Sequence, residues 1–238
     1  ERNCKMGKRI IQQARGKGSL SYRVRKKAYI YKIKYPMHDG KAQILKILHS
    51  VAHTAPLAKI KISNEIFYNP AFNGSFEGKE IEIGGENIEG GNTLILKNIP
   101  AATNIFNIER NPGDGGKMIR TSGSHAVVYK KYENGKVGVL MPNKKEIILD
   151  EDCRATIGTI AGEGRKQKPF VKAGNMFYKM KARNKLWPRT SAVKMNAVDH
   201  PFGSGRGKRI KSKTAKANAP PGARVGHLRP KRTGRKKR

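Results

Sequence analysis

The chain has 238 residues with 51 Lys and Arg against 17 Asp and Glu, which gives a formal charge of +34. A protein this basic repels itself when compact, so it is expected to bind a polyanion, and nucleic acid is the leading candidate. The sequence has no long apolar run and no basic amphipathic helix, which disfavours a membrane as the partner. The charged N-terminal stretch has no secretory signal, and Cys4 and Cys153 lack disulfide or metal-ligand spacing. We therefore expect free thiols in a reducing cytosol.

The charge is distributed unevenly along the chain. Residues 65–163 carry 11 Lys and Arg against 14 Asp and Glu, whereas the flanks, 1–64 and 164–238, carry 40 basic and three acidic residues. Blocks of like charge outside a core usually stay unfolded until a partner neutralises them. The sequence therefore predicts an ordinary folded core between polycationic arms.

The N-terminal part is predicted to be an arm followed by a barrel. Residues 1–27 contain ten basic residues, one acidic residue and no periodicity, which predicts an extended basic arm. The next stretch alternates apolar with polar residues between Gly-rich turns and predicts a small closed barrel over 28–100, whose type the pattern does not fix. The predicted strands are 28–35, 42–51, 56–62, 78–84 and 92–99.

A second series of strands predicts a second small barrel over 101–172. Residues 173–202 are predicted to form a short helix and a shaped loop, and the side of the helix that carries Met176, Phe177 and Met180 is interpreted as packing in a core. Residues 203–238 hold 14 Lys and Arg and no acid, which predicts an extended basic C-terminal tail. The second series of predicted strands is 105–109, 125–132, 136–142, 145–150 and 155–161.

Residues 187–208 are interpreted as a loop of defined shape that is delivered to RNA. Pro188 and Pro201 fix the local φ, and Gly203, with the alternate glycines that follow it, permits conformations closed to other residues. The stretch also holds the only tryptophan, Trp187. Its side chain could stack on a base or anchor the loop in a core, and the sequence leaves both interpretations open.

His200 lies in this loop between Asp199 and Pro201, and an imidazole suits proton transfer near neutral pH. No nucleophile with an orienting partner and no carboxylate cluster for Mg²⁺ accompanies it in the sequence. A structural or RNA-contacting role for His200 is therefore favoured over catalysis. An enzyme that acts on RNA through His200 is the alternative hypothesis.

Two Gly-rich stretches, 162–166 and 111–117, could cradle phosphates with backbone N–H groups or could form tight turns. Neither matches the phosphate-binding loop G-x-x-x-x-G-K-[ST]. Arg165, Lys166 and Lys168 lie in or beside the first stretch, so phosphate contact is favoured there, and the tight turn is favoured for the second.

Several motifs occur in order along nearly the whole chain. The most distinctive is M-N-A-V-D-H-P-F-G-S-G at 195–205. It is joined by G-K-R-I-I-x-Q-x-R-G-K-G-S at 7–19, A-P-L-A-K-I at 55–60, N-P-G-D-G-G-K-x-x-R-x-S-G at 111–123, K-A-x-x-x-x-W-P-R at 181–189 and R-x-G-R at 232–235. This set resembles the universal ribosomal protein L-two family of the large subunit, in its archaeal and eukaryotic branch. The His-Pro-Phe run and the position of Met6 favour an archaeal source.

The resemblance implies an oligonucleotide-binding (OB)-type barrel followed by an SH3-like barrel, with arms that run through rRNA. It implies a structural constituent of the large ribosomal subunit in the cytoplasm, a primary rRNA binder rather than an enzyme. Such a protein supports subunit association, tRNA binding and peptide-bond formation near the peptidyl transferase centre, with His200 at most in indirect support. A free chromatin or translation factor is a further alternative.

The resemblance also implies partners and RNA-contacting positions. Expected partners are large-subunit rRNA, neighbouring ribosomal proteins, the small-subunit interface and, indirectly, tRNA. No membrane, homo-oligomer, metal site or cofactor is expected, apart from Mg²⁺ bound to nearby rRNA. The predicted RNA-contacting residues are Arg15, Lys17, Ser19, Arg23, Arg25, Arg120, Arg165, Lys166, Lys168, Arg183, Trp187, Arg189, Met195, Asn196, His200, Phe202, Gly203, Arg206, Lys208, Arg232 and Arg235.

The sequence departs from the family pattern at a few positions. Ala197 stands where the family usually has proline, and Ser204 replaces a glycine, which is expected to alter the loop locally. The segment H-S-V-A-H-T at 49–54 replaces a turn that contains an arginine, so one RNA contact is expected to be lost. The family pattern begins at Met6, so Glu1–Lys5 is interpreted as an upstream extension or an ambiguity of the start site.

Overall fold

The computed structural model describes residues 7–20, 22–24, 26–205 and 214–228. The chain divides into two compact units. We call Arg25–Val171 the β unit, and we call Glu1–Val24 together with Lys172–Arg238 the basic unit. Each unit is described by itself.

Ten strands of the β unit form one continuous sheet, with neighbours in the order β3-β2-β1-β4-β5-β10-β6-β7-β8-β9. All adjacent pairs are antiparallel except β4 and β5, which pair in parallel at Ile83 and Thr93. The predicted mainly-β class is thereby confirmed, and the OB-type and SH3-like barrels stay predictions. The strands are β1 Gly40–Leu48, β2 Leu57–Ile62, β3 Glu65–Pro70, β4 Glu80–Ile83, β5 Thr93–Ile95, β6 Asn104–Phe106, β7 Ala126–Tyr132, β8 Lys136–Leu140, β9 Glu146–Asp150 and β10 Arg154–Ile157.

Alternation of side chains explains why these residues form strands. In β4, Ile81 and Ile83 are buried while the glutamates beside them face outward or lie part-exposed, as the period of two requires. A turn at Asn134 and Gly135, a residue pair typical of hairpins, connects β7 to β8, with Gly135 at φ 69°, a conformation that glycine adopts without strain. Local sequence therefore specifies both the strands and the hairpin.

The β unit contains two hydrophobic cores. The first is built mainly on β1 to β4, and the second on β5 to β10. Strand β6 serves both, because Ile105 packs in the second core and its neighbour Phe106 packs in the first. Leu94, Leu96 and Ile99, from the segment predicted to close the first barrel, pack in the second core.

Three strand predictions differ from the structure. Of the predicted strand 92–99, Thr93–Ile95 is a strand, but Leu96–Asn98 forms a 3-10 helix. Residues 28–35 were predicted to be a strand, but Lys26–Tyr29 forms a 3-10 helix and Ile33 makes only an isolated bridge to Tyr68. The buried hydroxyl of Tyr35 donates to the Asn107 carbonyl oxygen, 2.7 Å away, so this segment is fixed by a side chain instead of a strand ladder. Conversely, β3 was not predicted, although it pairs along its whole length with β2.

The described part of the basic unit holds two α-helices, α1 Ile11–Gly16 and α2 Ala173–Ala182, and a 3-10 helix, Ala192–Lys194. It also holds a two-stranded parallel pair, β11 Thr214–Ala215 and β12 His227–Leu228. Helix α1 lies within the stretch predicted to be an extended arm. The predicted core packing of α2 is wrong, since none of its residues is buried. None of the helices in the described ranges is long and apolar enough to cross a membrane.

Weak burial is general in the basic unit. Among its described residues, the apolar side chains that reach full burial are Ile10 and Val225, at 5% and 8% exposure. Helix α2 carries large apolar side chains, but Phe177 and Tyr178 are exposed and none of its residues is buried, so no core of the described basic unit covers them.

Candidate nucleic-acid interface

The segment 195–205 folds into a closed loop by backbone hydrogen bonds. The N–H groups of Asp199 and His200 both donate to the Asn196 carbonyl, at 3.0 and 3.2 Å. The N–H of Gly203 donates to the His200 carbonyl at 2.8 Å, and the N–H of Ser204 donates to the Met195 carbonyl at 3.2 Å. The loop is therefore preorganised by its own main chain.

Two small residues determine how the loop closes. A Cβ on Gly203 would collide with the carbonyl of Asn196, so this position accepts only glycine without a backbone shift. Ser204 has φ 76°, in the left-handed region that favours glycine. The departure from the family pattern at Ser204 thus places a strained residue in the loop, whereas Ala197 is exposed, with no structural cost evident there.

The N-terminal arm braces this loop within the basic unit. The Lys8 N–H donates to the Val198 carbonyl at 2.9 Å, and the Lys8 Nζ lies 3.8 Å from Asp199 Oδ1 in an exposed ion pair. An exposed pair of this length stabilises little, so the backbone bond is the main tie.

The ring of His200 is oriented by the loop itself. Its Nδ1 accepts a hydrogen bond from the Phe202 N–H at 3.0 Å, and the two rings lie 5.2 Å apart between centroids. Because Nδ1 is the acceptor, the neutral imidazole carries its proton on Nε2, which assigns that atom as a donor. The carboxylate of Asp199 is directed to Lys8, and the bond to Nδ1 comes from the main chain. The half-buried ring is therefore built to donate a hydrogen bond to an acceptor such as an RNA oxygen.

A second feature of the basic unit brings together three residues that were predicted separately. Arg15, Trp187 and Arg189 line one cavity of about 720 Å³, with Tyr22 and Lys185 also in its wall. Trp187 is half-buried, so neither of the two interpretations left open by the sequence, core anchor or base platform, describes it completely. Sequence analysis missed Tyr22 and Lys185, because no spacing indicates that residues 22 and 185 meet.

The other predicted RNA-contacting residues differ in how exposed they are, and some lie outside the described residues. Met195 and Phe202 are half-buried in the loop and Asn196 is exposed. The predicted residues Lys17, Ser19, Arg23 and Arg183 are also exposed. Arg25, Arg206, Lys208, Arg232 and Arg235 lie outside the described residues, as does the side chain of Lys166.

In the β unit, the loop 111–117 is shaped by two carboxylates. The buried Glu109 accepts hydrogen bonds from the N–H groups of Gly113 and Gly115, at 3.2 and 2.9 Å, and forms a 3.1 Å ion pair with Arg154. Asp114 accepts from the Gly116 N–H at 3.0 Å. Because these glycine N–H groups already donate hydrogen bonds to protein carboxylates, they do not form a cradle for phosphate.

Arg120 also donates its hydrogen bonds to groups of the β unit itself. Its Nε donates to Asn107 Oδ1 at 2.8 Å, and its guanidinium reaches the carbonyls of Ile33 and Gly115 at 3.4 and 3.5 Å. Burial lowers the pKa of the guanidinium, while the nearby Tyr35 and Asp114 counter that effect. The geometry gives Arg120 a role in holding the loop 111–117.

The turn at 162–166 is both tight and basic. Gly162 has φ 85° and begins a 3-10 helix, Glu163–Lys166. Arg165 is exposed but donates from Nε to Ser122 Oγ at 2.7 Å, and Lys168 is exposed. The turn therefore holds one arginine in place while leaving cationic groups at the surface of the β unit.

The segment 49–54, which departs from the family pattern, is held by protein contacts. Ser50 Oγ and His53 Nδ1 share a 2.8 Å hydrogen bond, and Thr54 Oγ1 accepts from the Ser122 N–H at 3.3 Å. Burial lowers the pKa of His53, and the charge of Arg120 lowers it further. Within the described ranges, no cluster of three or more His, Cys, Asp or Glu side chains could hold a metal ion.

Comparisons with known proteins agree with the resemblance of the motifs. A family model described as Ribosomal Proteins L2, C-terminal domain, matches residues 89–221. A protein of Korarchaeum cryptofilum is 42% identical over 242 aligned residues, covering 98% of each chain. One of Archaeoglobus fulgidus is 44% identical over 96% of this chain and 99% of its own. One of Desulfurococcus amylolyticus is 40% identical over 98% of this chain and 100% of its own. All three are named large ribosomal subunit protein uL2.

Proposed function

The chain belongs to the ribosomal protein L2 family, and on that premise we propose that it is a structural, noncatalytic constituent of the large ribosomal subunit that binds rRNA. One observation of the structure carries the proposal. The basic unit has 28 Lys and Arg against two acidic residues, and its described residues bury almost no apolar side chains. A unit of this kind depends on a polyanion for its stability.

The loop 195–205 supports a more specific proposal about where the protein contacts RNA. It is preorganised and presents the Nε2–H of His200, so it is suited to contact RNA without rearrangement. We assign it to the region near the peptidyl transferase centre, where it supports peptide-bond formation, tRNA binding and the association of the subunits. The partners are rRNA, neighbouring ribosomal proteins and the small-subunit interface, in cytoplasmic ribosomes.

The test of this function is sedimentation of native ribosomes through a sucrose gradient at high salt. A constituent of the large subunit stays with that subunit, whereas a free nucleic-acid-binding factor is released. Loss of the protein from the large-subunit fraction would favour the free factor.

A second measurement asks how rRNA is bound. Because the contacts are mainly to phosphates, the affinity of the full chain for an rRNA fragment should fall at least about a hundredfold between roughly 50 and 200 mM salt. A fall below about tenfold would mean that the basic unit is not engaged.

The enzyme hypothesis makes a different prediction for His200. A general acid or base at this position requires turnover of an RNA or peptidyl-tRNA analogue by the purified chain without ribosomes. We expect none. In ribosomes, His200→Asn keeps an acceptor for the Phe202 N–H and should assemble better than His200→Ala, because the role of the ring is to shape the loop and contact RNA. Equal assembly of the two variants would contradict that role.

A further inference from the structure

The cavity of the basic unit that contains Trp187 has the shape and chemistry of a nucleotide pocket. It measures about 720 Å³ and lies between α1, the segment that carries Tyr22 and the segment 184–189. This volume is within the range of roughly 300–1,000 Å³ that is typical of small-molecule sites, so a single base with its sugar fits inside.

The walls of the cavity combine aromatic and cationic side chains. Trp187 and Tyr22 are half-buried and both line it, and the exposed Arg15, Lys185 and Arg189 line it as well. No acidic residue is among its lining residues. Sites for single-stranded nucleic acid have this composition, since bases stack on aromatic rings while cations follow the backbone.

Hydrogen bonds within the basic unit hold the two aromatic segments together. Asn184 Nδ2 donates to the Arg23 carbonyl at 2.6 Å, which ties the segment before Trp187 to the segment after Tyr22. Arg23 Nε donates to the Gly18 carbonyl at 2.7 Å, and the Tyr22 N–H donates to the Ser19 carbonyl at 2.9 Å. The cavity walls are thus formed before any ligand binds, which reduces the entropic cost of binding.

We propose that this cavity binds one unstacked base of single-stranded RNA, against Trp187 and Tyr22, with Arg15, Lys185 and Arg189 on the flanking phosphates. The inference rests on the proposed rRNA-binding function and adds the form of RNA that is recognised. Phosphates alone need only an exposed cationic surface, of which the unit has much. Recessed aromatic rings add nothing for a duplex, whose bases are already stacked on each other.

Because Trp187 is the only tryptophan, its fluorescence reports directly on the cavity. A short single-stranded RNA of mixed sequence is titrated into the full-length chain, and the same sequence as a duplex serves as the comparison. The single strand should quench the fluorescence, because one of its bases stacks on Trp187. The duplex should leave most of the fluorescence unchanged. Equal quenching by both RNAs would overturn the proposal, since it would indicate a cationic surface only.

Variants of Tyr22 separate stacking from charge. Tyr22→Ala should lower the affinity for single-stranded RNA, as measured by quenching, roughly tenfold. Tyr22→Phe, which keeps the ring, should retain the native affinity. Tyr178→Ala is the matched control, because Tyr178 is an exposed tyrosine of α2, 69% exposed, that does not line the cavity. An unchanged titration for Tyr22→Ala would contradict the proposal, as would an equal loss for Tyr178→Ala.

Failure of this inference is distinguishable from failure of the proposed function. If the chain binds an rRNA fragment with a steep salt dependence while no single-stranded RNA changes the Trp187 fluorescence, the cavity is not a base-binding site and the function stands. If the chain binds neither RNA, both proposals fail. The same titration with an acidic peptide examines a protein partner, and quenching by the peptide in place of RNA would also overturn the inference.

Discussion

The two units of the chain achieve order in opposite ways. The β unit has 23 Lys and Arg against 15 Asp and Glu, and it contains all but two of the buried apolar side chains among the described residues. The basic unit has 28 Lys and Arg against Glu1 and Asp199, and its described residues bury Ile10 and Val225. Hydrophobic burial therefore stabilises the first unit by itself, while the second has so little of it that the proposed function requires a polyanion to stabilise it.

The comparison extends to the loop that each unit shapes. In the β unit, the carboxylates of Glu109 and Asp114 hold the loop 111–117 by accepting from its N–H groups. In the basic unit, the loop 195–205 closes through backbone carbonyls and the ring of His200. The one carboxylate of this loop, that of Asp199, lies 3.8 Å from Lys8 Nζ and is not used to close the loop, so the closure adds no unpaired negative charge to a basic unit that is proposed to bind RNA.

The largest expected effect concerns Glu109. Glu109→Ala leaves the nearly buried Arg154 without its ion pair and leaves loop N–H groups without an acceptor, so the free energy of unfolding of the β unit should fall by about 3–5 kcal/mol. Urea denaturation followed by circular dichroism measures this. The matched control is Glu151→Ala, which removes the more exposed pair with Lys97 and should cost less than about 1 kcal/mol. An equal loss of unfolding free energy in the two variants would mean that the contacts of Glu109 do not stabilise the β unit more than an exposed ion pair does.

A smaller effect should appear at alkaline pH and only in the β unit. Burial raises the pKa of the Cys153 thiol from 9.0 to about 11, and a hydrogen bond with the backbone of Asp150 offsets this rise only in part. The folded state therefore keeps the thiol proton where the unfolded state has lost it, so this contribution is complete below pH 9 and is lost as pH rises to about 11. The loss should amount to less than about 3 kcal/mol.

The measurement compares the pH dependence of unfolding between the native chain and Cys153→Ala. Burial also raises the pKa of Tyr35, and that effect is common to both proteins, so the difference in their slopes isolates Cys153. In a Cys4→Ser background, a thiol reagent should label Cys153 only after the β unit unfolds, because the side chain is fully buried. Rapid labelling of the folded chain would contradict both the burial and the raised pKa.

Sequence patterns predicted the parts of the fold that are determined locally. Strict alternation in β4 and the Asn-Gly turn before β8 identified those strands, since side chains two residues apart share a face. The prediction over 28–35 failed because the position of Tyr35 depends on Asn107 and Thr156, which are distant in sequence. Long-range side-chain bonds of this kind leave no local periodicity to detect.

The candidate site also has a part that is determined locally and a part that depends on residues distant in sequence. Pro201 and the glycines of 195–205 are local determinants, so a loop of defined shape could be predicted from the sequence, although its hydrogen bonds could not. The meeting of Tyr22 with Trp187 was not, because it depends on the bond between Asn184 and Arg23. Arg120 was predicted from a motif as an RNA contact, and that assignment stays a prediction beside its observed bonds to Asn107 and Gly115.

The smallest expected effect separates the two units most sharply. Gly203→Ala forces the loop 195–205 to open, since the added Cβ meets the Asn196 carbonyl, and it should weaken binding of an rRNA fragment about tenfold, or about 1.4 kcal/mol. The urea transition of the β unit should not change, because that unit folds around its own cores. Gly174→Ala is the control, since a Cβ there meets open space on α2. A shifted β-unit transition in Gly203→Ala would show that the loop and the β unit are not independently stabilised. Equal loss of affinity in both variants would show that the closed form of the loop is not what binds RNA.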